Sequence, residues 1–263
     1  MSHLMKNYGR LPVSFDHGQG VWLWDKEGHK YLDALAGIAV NSVGHAHPRL
    51  VRAIADQASK LIHCSNYFNI DLQEQVAEKL VEHSGLEAVF FCNSGLEANE
   101  CAIKIARKFG HAKGIEVPNI IVLKHAFHGR SIATLSATGN PSVRADFSPY
   151  TEGFIFVDES DLDGIRKIVE ENKNVVPIFF EPILGEGGVV PIDLSVIKGI
   201  REICDEHDLL MMCDEVQCGM GRSGKWFAHQ WAEIKPDVIT MAKGLAGGVP
   251  VGAVIVSEKA NIF

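Results

Sequence analysis

Ala88-Val-Phe-Phe-Cys92, followed by Asn93-Ser-Gly-Leu-Glu97-Ala-Asn-Glu-Cys-Ala-Ile-Lys-Ile-Ala-Arg-Lys-Phe109, decides the fold class. The first run is short and apolar, as a buried strand should be. After a small polar turn the pattern changes, and Cys101, Ala102, Ile105 and Phe109 fall on one side of a helix over Glu97–Phe109. Ile120–Leu123 is again strand-like, as are Phe154–Val157, Val175–Phe180, Leu209–Cys213, Val238–Met241 and Gly252–Val256. Helical stretches at Leu162–Glu171 and Leu194–His207 intervene. Strands apolar on both faces, alternating with helices, predict an α/β fold with a mostly parallel sheet flanked by helices. Ligands of such sheets bind beyond the carboxyl ends of the strands, so the chemistry is sought there.

Upstream the pattern is mixed. Gly20-Val-Trp-Leu-Trp24 and Lys30-Tyr-Leu-Asp33 flank Asp25-Lys-Glu-Gly28, which reads as a hairpin around a glycine-containing turn. Pro48 stands where a helix takes its first residue, and Leu50, Val51, Ile54, Ala58, Leu61 and Ile62 follow at helical spacing. Leu72, Val76, Leu80 and Val81 form a second amphipathic stretch. The expected division is an N-terminal segment over residues 1–60, with the hairpin and first helix, and a large α/β domain over 61–263.

The 263 residues, 46% of them hydrophobic, supply a core and exclude disorder as the main state. Thirty-three acidic against 25 basic residues give a net charge of −8, which argues against a nucleic-acid partner. Val175–Phe180 and Val251–Val256 are too short to span a bilayer. Met1-Ser-His-Leu-Met-Lys-Asn-Tyr8 lacks the apolar core and cleavage site of a signal peptide. The cysteines at 64, 92, 101, 204, 213 and 218 show no zinc-type spacing, and most lie in apolar segments. These features predict a cytoplasmic, reduced protein without a membrane partner. No repeat of 20 to 50 residues and no low-complexity tract occurs.

Some motifs mislead. Gly219-Met-Gly221-Arg-Ser-Gly224-Lys225 fits G-x-G-x-x-G and most of G-x-x-x-x-G-K. Trp226 stands where the latter needs Ser or Thr, and the following aromatic stretch is a weak helix former. A glycine-rich turn is the expected structure. His45 and His47 in Gly44-His-Ala-His-Pro48 make a poor metal site without a third ligand, and are expected to cap the helix at Pro48. No G-x-S-x-G elbow or H-E-x-x-H occurs to anchor a hydrolase.

Three strand ends carry more chemistry. Phe91-Cys-Asn-Ser94-Gly95-Leu96-Glu97 passes from strand to helix through residues that could cradle a phosphate on free amides, or simply cap the helix. Leu209-Leu-Met-Met-Cys-Asp214-Glu215-Val216-Gln217 places two acids after the most apolar strand, where a carboxylate needs a partner; a structural salt bridge would also satisfy it. Met241-Ala-Lys243-Gly244 places a lysine at a third strand end, though such a lysine could reach solvent. Together they fit pyridoxal 5′-phosphate, which needs a phosphate cradle, an acid for its pyridinium proton and a partly desolvated lysine.

With these residues the chain resembles the class III aminotransferases of the type I pyridoxal-phosphate fold, and among them the acetylornithine type, over essentially its whole length. The resemblance rests on Tyr31-Leu-Asp-Ala-Leu-Ala-Gly-Ile-Ala-Val-Asn41, Gly44-His-Ala-His-Pro48 and Asn93-Ser-Gly-Leu-Glu-Ala-Asn-Glu100. It continues through Ala126-Phe-His-Gly-Arg130, Glu181-Pro-Ile-Leu-Gly-Glu-Gly-Gly188, Asp214-Glu-Val-Gln217 and Ala242-Lys-Gly244.

The resemblance implies that Lys243 is the Schiff-base lysine and proton shuttle and that Asp214 pairs with the pyridine nitrogen. It places Gln217 near the ring hydroxyl, Val216 and Phe127 on the two ring faces, and Ser94, Gly95 and Leu96 around the phosphate. Glu215 is expected among the cofactor-binding residues, Arg130 on a substrate carboxylate, and Glu186 as the acid that pairs with a substrate-binding arginine. The implied reaction is ping-pong transfer of the terminal amine of N2-acetyl-L-ornithine to 2-oxoglutarate, in arginine biosynthesis, by a homodimer. Some members also act on succinyl-diaminopimelate.

Leu96 replaces a usual small residue or threonine, and Leu184 a usual glutamine. Family members continue well past the lysine, whereas 20 residues follow Lys243, so a C-terminal small domain with the arginine partner of Glu186 is expected to be missing. The alternatives left open are another class III enzyme (ornithine, succinylornithine or 4-aminobutyrate aminotransferase, aminomutase or decarboxylase) and a non-catalytic fragment.

Overall fold

The computed structural model describes residues 3–263, in which the chain forms two compact units meeting in sequence between Ser65 and Asn66. In the first, β1 (Phe15–Gln19), β2 (Trp22–Asp25) and β3 (Lys30–Leu32) form an antiparallel meander. The expected hairpin is its second half. Asp25 builds the turn: its Oδ1 accepts from the amides of Glu27 (3.0 Å) and His29 (2.8 Å), and its Oδ2 from Tyr31 Oη at 2.9 Å.

A short turn α1 (Ala36–Ala39) follows, then α2 (Pro48–Ala58) with Pro48 in its first turn. The expected histidine cap is corrected here. His47 occupies the N-cap position but makes no side-chain cap bond, and His45 Nε2 lies 2.6 Å from Asp33 Oδ2. The His45 ring is committed to Asp33 and is not available to cap α2.

The second unit opens with α3 (Asp71–Ser84), which ends on Gly85 at φ 67°. It then alternates β4 (Ala88–Cys92), α4 (Gly95–Ala112), β5 (Asn119–Leu123), α5 (Ile132–Ala137), α6 (Pro141–Arg144), β6 (Phe154–Val157), α7 (Leu162–Glu171) and β7 (Val175–Phe180). A two-residue ladder, β8 (Ile183–Leu184) with β9 (Val190–Pro191), leads to α8 (Leu194–Glu206), β10 (Leu210–Asp214), β11 (Val238–Met241) and β12 (Gly252–Val256).

Seven strands form one sheet in the order β4-β12-β11-β10-β7-β5-β6. All run parallel except β12, which pairs antiparallel with β11 and β4. Inserting one reversed strand leaves β4 parallel to the rest, so the carboxyl ends of β4, β11, β10, β7 and β5 share one edge. One face packs Ile178, Phe180, Met211 and Cys213 against α7 and α8; the other packs Phe179, Leu210, Met212 and Val254 against α4. Both faces are covered, which is why β7 and β10 are buried at every position.

Candidate active site

The carboxyl edge gathers the chemistry. Asp214 is the last residue of β10 and pairs in register with Thr240 of β11, three residues before Lys243. The residue is 2% exposed. Oδ2 accepts from Asn99 Nδ2 at 2.7 Å and contacts His128 Nδ1 at 2.8 Å, while Oδ1 accepts from the Val216 amide at 3.0 Å. No lysine or arginine pairs with it among the described residues, and its ion-pair partner is the His128 imidazole. Asn99 Nδ2 also donates to the His128 carbonyl at 2.7 Å, and the His128 ring stacks on Phe179 at 4.1 Å. Asn99 and His128 therefore fix the orientation of the Asp214 carboxylate.

Asn99 and His128 escaped the sequence reading. Asn99 had a signal: a polar residue on the buried stripe of α4, beside Ala98 and Ala102. His128 lay within the Ala126–Arg130 motif without a stated role.

α4 supplies the cradle as well. Ser94 is its N-cap, with Oγ accepting from the Glu97 amide at 3.2 Å, and Glu97 Oε2 accepts from the Asn93 amide at 2.6 Å. Ser94 thus caps the helix, and the amides of Gly95 and Leu96 carry no hydrogen bond among the described residues. A Cβ on Gly95 would sit 2.7 Å from Val216 Cγ1, so only glycine lets the helix start approach the strand end that bears Asp214. The Leu96 side chain points away, toward Gly129, where a Cβ would lie 3.5 Å from Leu96 Cγ.

Lys243 opens a 3-10 turn (Lys243–Ala246) in the left-handed region, with φ 43°. It is half-buried and has no hydrogen bond or ion pair among the described residues. Burial lowers its pKa, opposed by Asp214, Glu186 and Glu181. A lysine held strained and unpaired at a strand end is poised for chemistry.

Phe127, Arg130, Glu186 and Gly187 line a cleft of about 310 Å³ together with Asn140 and Val143. The Arg130 guanidinium lies 5.7 Å from the Phe127 ring centre. Gln217 packs against Gly185, where a Cβ would collide with its Oε1.

Glu215 departs from its expected place among the cofactor-binding side chains. Its carboxylate is turned inward, with Oε2 accepting from the Ala228 amide (2.8 Å) and Cys218 Sγ (3.3 Å), and Oε1 from the His229 amide (2.8 Å). It braces the 3-10 turn Ala228–Ala232 instead, because successive side chains on a strand point to opposite faces. The glycine-rich Gly219–Lys225 stretch is a turn, as expected. Its lysine donates to Gln230 O at 3.0 Å, and a 3-10 turn rather than an α-helix follows.

A buried acid, a helix start with unengaged amides and an unpaired strand-end lysine thus share one edge of a mostly parallel sheet. The chain belongs to the class III aminotransferase family, whose profile matches residues 4–262. It is 54% identical over 260 residues to the acetylornithine aminotransferase of Nitrosomonas europaea, covering 99% of this chain and 66% of that protein. A Synechocystis protein of the same name is 48% identical, covering 100% of this chain and 62% of its own length. The ornithine aminotransferase structure from Toxoplasma gondii superposes with a TM-score of 0.93 at 33% identity, covering 98% of this chain and 62% of that one. The N-acetylornithine aminotransferase structure from Stenotrophomonas maltophilia gives 0.84 at 39% identity, covering 96% and 64%. The chain spans about two thirds of the length of the curated relatives it matches.

Members of this family depend on pyridoxal phosphate. The residues here fit that group. The Lys243 amine lacks a partner, the Asp214 carboxylate is held by neutral-capable donors, and the Gly95 and Leu96 amides are unengaged. Among the described residues no helix is long and apolar enough to cross a membrane.

Proposed function

We propose that this chain carries the cofactor-binding machinery of an acetylornithine aminotransferase, moving the terminal amine of N2-acetyl-L-ornithine to 2-oxoglutarate in arginine biosynthesis. The observation that carries the reading is Lys243, strained, desolvated and unpaired one strand from the buried carboxylate of Asp214. Bound pyridoxal phosphate would supply an electron sink for the carbon that loses its amine.

The chain's own residues do the rest. The Gly95 and Leu96 amides and the Ser94 side chain would hold the phosphate at the positive end of α4. Asp214, oriented by Asn99 and His128, would hold the ring nitrogen, Val216 and Phe127 would flank the ring, and Gln217 would lie near its hydroxyl. Lys243 would offer a neutral amine to the cofactor and hold or move a proton there, which the lowered pKa favours. Arg130 takes a substrate carboxylate through its guanidinium fork, and Glu186 holds the second side of the cleft. In this reading residues 61–263 are the cofactor-binding domain, the protein is a cytoplasmic homodimer, and succinyl-diaminopimelate is a further substrate.

The test is spectroscopic. The full chain loaded with pyridoxal phosphate should show the absorbance band of lysine-bound cofactor, absent in Lys243→Ala and bleached by N-acetylornithine. Bleaching by ornithine or 4-aminobutyrate alone would reassign the substrate. The fold likeness to ornithine aminotransferases makes ornithine the comparison that matters.

A further inference from the structure

The cleft that holds Phe127, Arg130, Glu186 and Gly187 has walls from different parts of the chain. The Phe127 wall follows β5, and the Gly185–Gly188 wall follows β7. One side chain touches the backbone of both. Glu181, the first residue beyond β7, is 4% exposed; its Oε2 accepts from the Phe127 amide at 2.8 Å and its Oε1 from the Gly185 amide at 3.2 Å.

Burial pushes the Glu181 pKa up to about 7, Asp214 adds to the rise, and His128 and the two amides oppose it. A carboxyl is costly there, yet each of its oxygens is committed to a different wall. Gly185 has no side chain to offer in its place, and its open side is filled by Gln217. Its amide is the handle that Glu181 takes on that wall.

We infer that Glu181 is the positioning residue that sets the separation between the Phe127 wall and the Glu186 wall, and with it the fit of the amino donor. This rests on the proposed reading of the cleft as the substrate site.

Glu181→Gln keeps the shape but replaces one acceptor with a donor that faces an amide N–H. In the cofactor-free full chain, hydrogen exchange should speed up about tenfold at the Phe127 or Gly185 amide, with β7 and β10 unchanged. With pyridoxal phosphate loaded, the N-acetylornithine concentration for half-bleaching should rise about tenfold while cofactor affinity changes less than about twofold. Unchanged exchange at both amides would overturn the inference. So would a loss confined to cofactor affinity with half-bleaching unmoved. If the unsubstituted chain is not bleached at all, the substrate reading fails, and the exchange measurement decides the tie alone. Should the Gln variant not fold, Glu181→Asp, too short to reach both amides, gives the same readings.

Discussion

Asp214 and Glu215 are neighbours in sequence, both buried and both within 3 Å of an imidazole, yet they belong to different parts of the protein. Asp214 meets His128 Nδ1 at 2.8 Å and Glu215 meets His229 Nδ1 at 2.9 Å. The Asp214 carboxylate is held by side chains of α4 and the loop after β5, with the strand-end lysine nearby. The Glu215 carboxylate is filled by two amides, a ring nitrogen and a thiol of the next turn. The same residue pair, acid with histidine, faces an unengaged lysine on one side of the strand end and is closed off by the next turn on the other; in the proposed reading the first serves chemistry. What separates them is whether the partners saturate the acid.

That contrast can be broken experimentally. Asp214→Asn should cost roughly 10²–10⁴-fold in turnover, since the ring nitrogen loses its charged partner. Its stability cost should be comparable to that of an amide at Glu215, because the one remaining oxygen cannot serve both the Asn99–His128 side and the Val216 amide, so turnover is what separates the two acids. A turnover change below about tenfold would place Asp214 with Glu215 as a bracing acid.

Glu215→Gln should lower unfolding free energy by about 1–3 kcal/mol, by setting an amide donor against the Ala228 or His229 N–H. Urea titration checks it. An unchanged midpoint with loss of the cofactor band would reverse the assignment of the two acids.

The third expectation concerns pH. Burial holds the Lys243 pKa below the ordinary lysine value. The neutral amine therefore persists as pH falls, until the lowered pKa is crossed. Borohydride trapping of an added aldehyde at Lys243 should extend to lower pH than trapping at the lysine of a short model peptide. Parallel pH curves for the two lysines would remove the desolvation argument. The smallest effect belongs to the glycine-rich turn: Lys225→Met should shift stability by less than about 1 kcal/mol and leave phosphate affinity alone, as thermal melts with and without phosphate would report.

The strands were legible because their apolar runs are buried on both faces and bounded by turn residues. Phe154–Val157, Val175–Phe180, Val238–Met241 and Gly252–Val256 have the expected bounds. Reversal of β12 was not legible, since an all-apolar strand reads alike in either direction. The strand ends were legible as chemistry, because an acid or a lysine after such a run needs a reason. Which acid does what was not. Asp214 owes its orientation to Asn99 and His128, 115 and 86 residues away, whereas Glu215 is filled by residues 3 to 14 away. Only the fold brings the distant set close. Glu181 shows the same limit: it stood inside a quoted motif, but its role depends on an amide 54 residues earlier.

Lys243 at φ 43° adopts a backbone that glycine takes without cost and a lysine does not. A glycine there should fold about 1 kcal/mol more favourably than the natural residue, and would contribute no amine. The folding free energy given up in that one torsion angle is the cost of carrying an amine at this strand end.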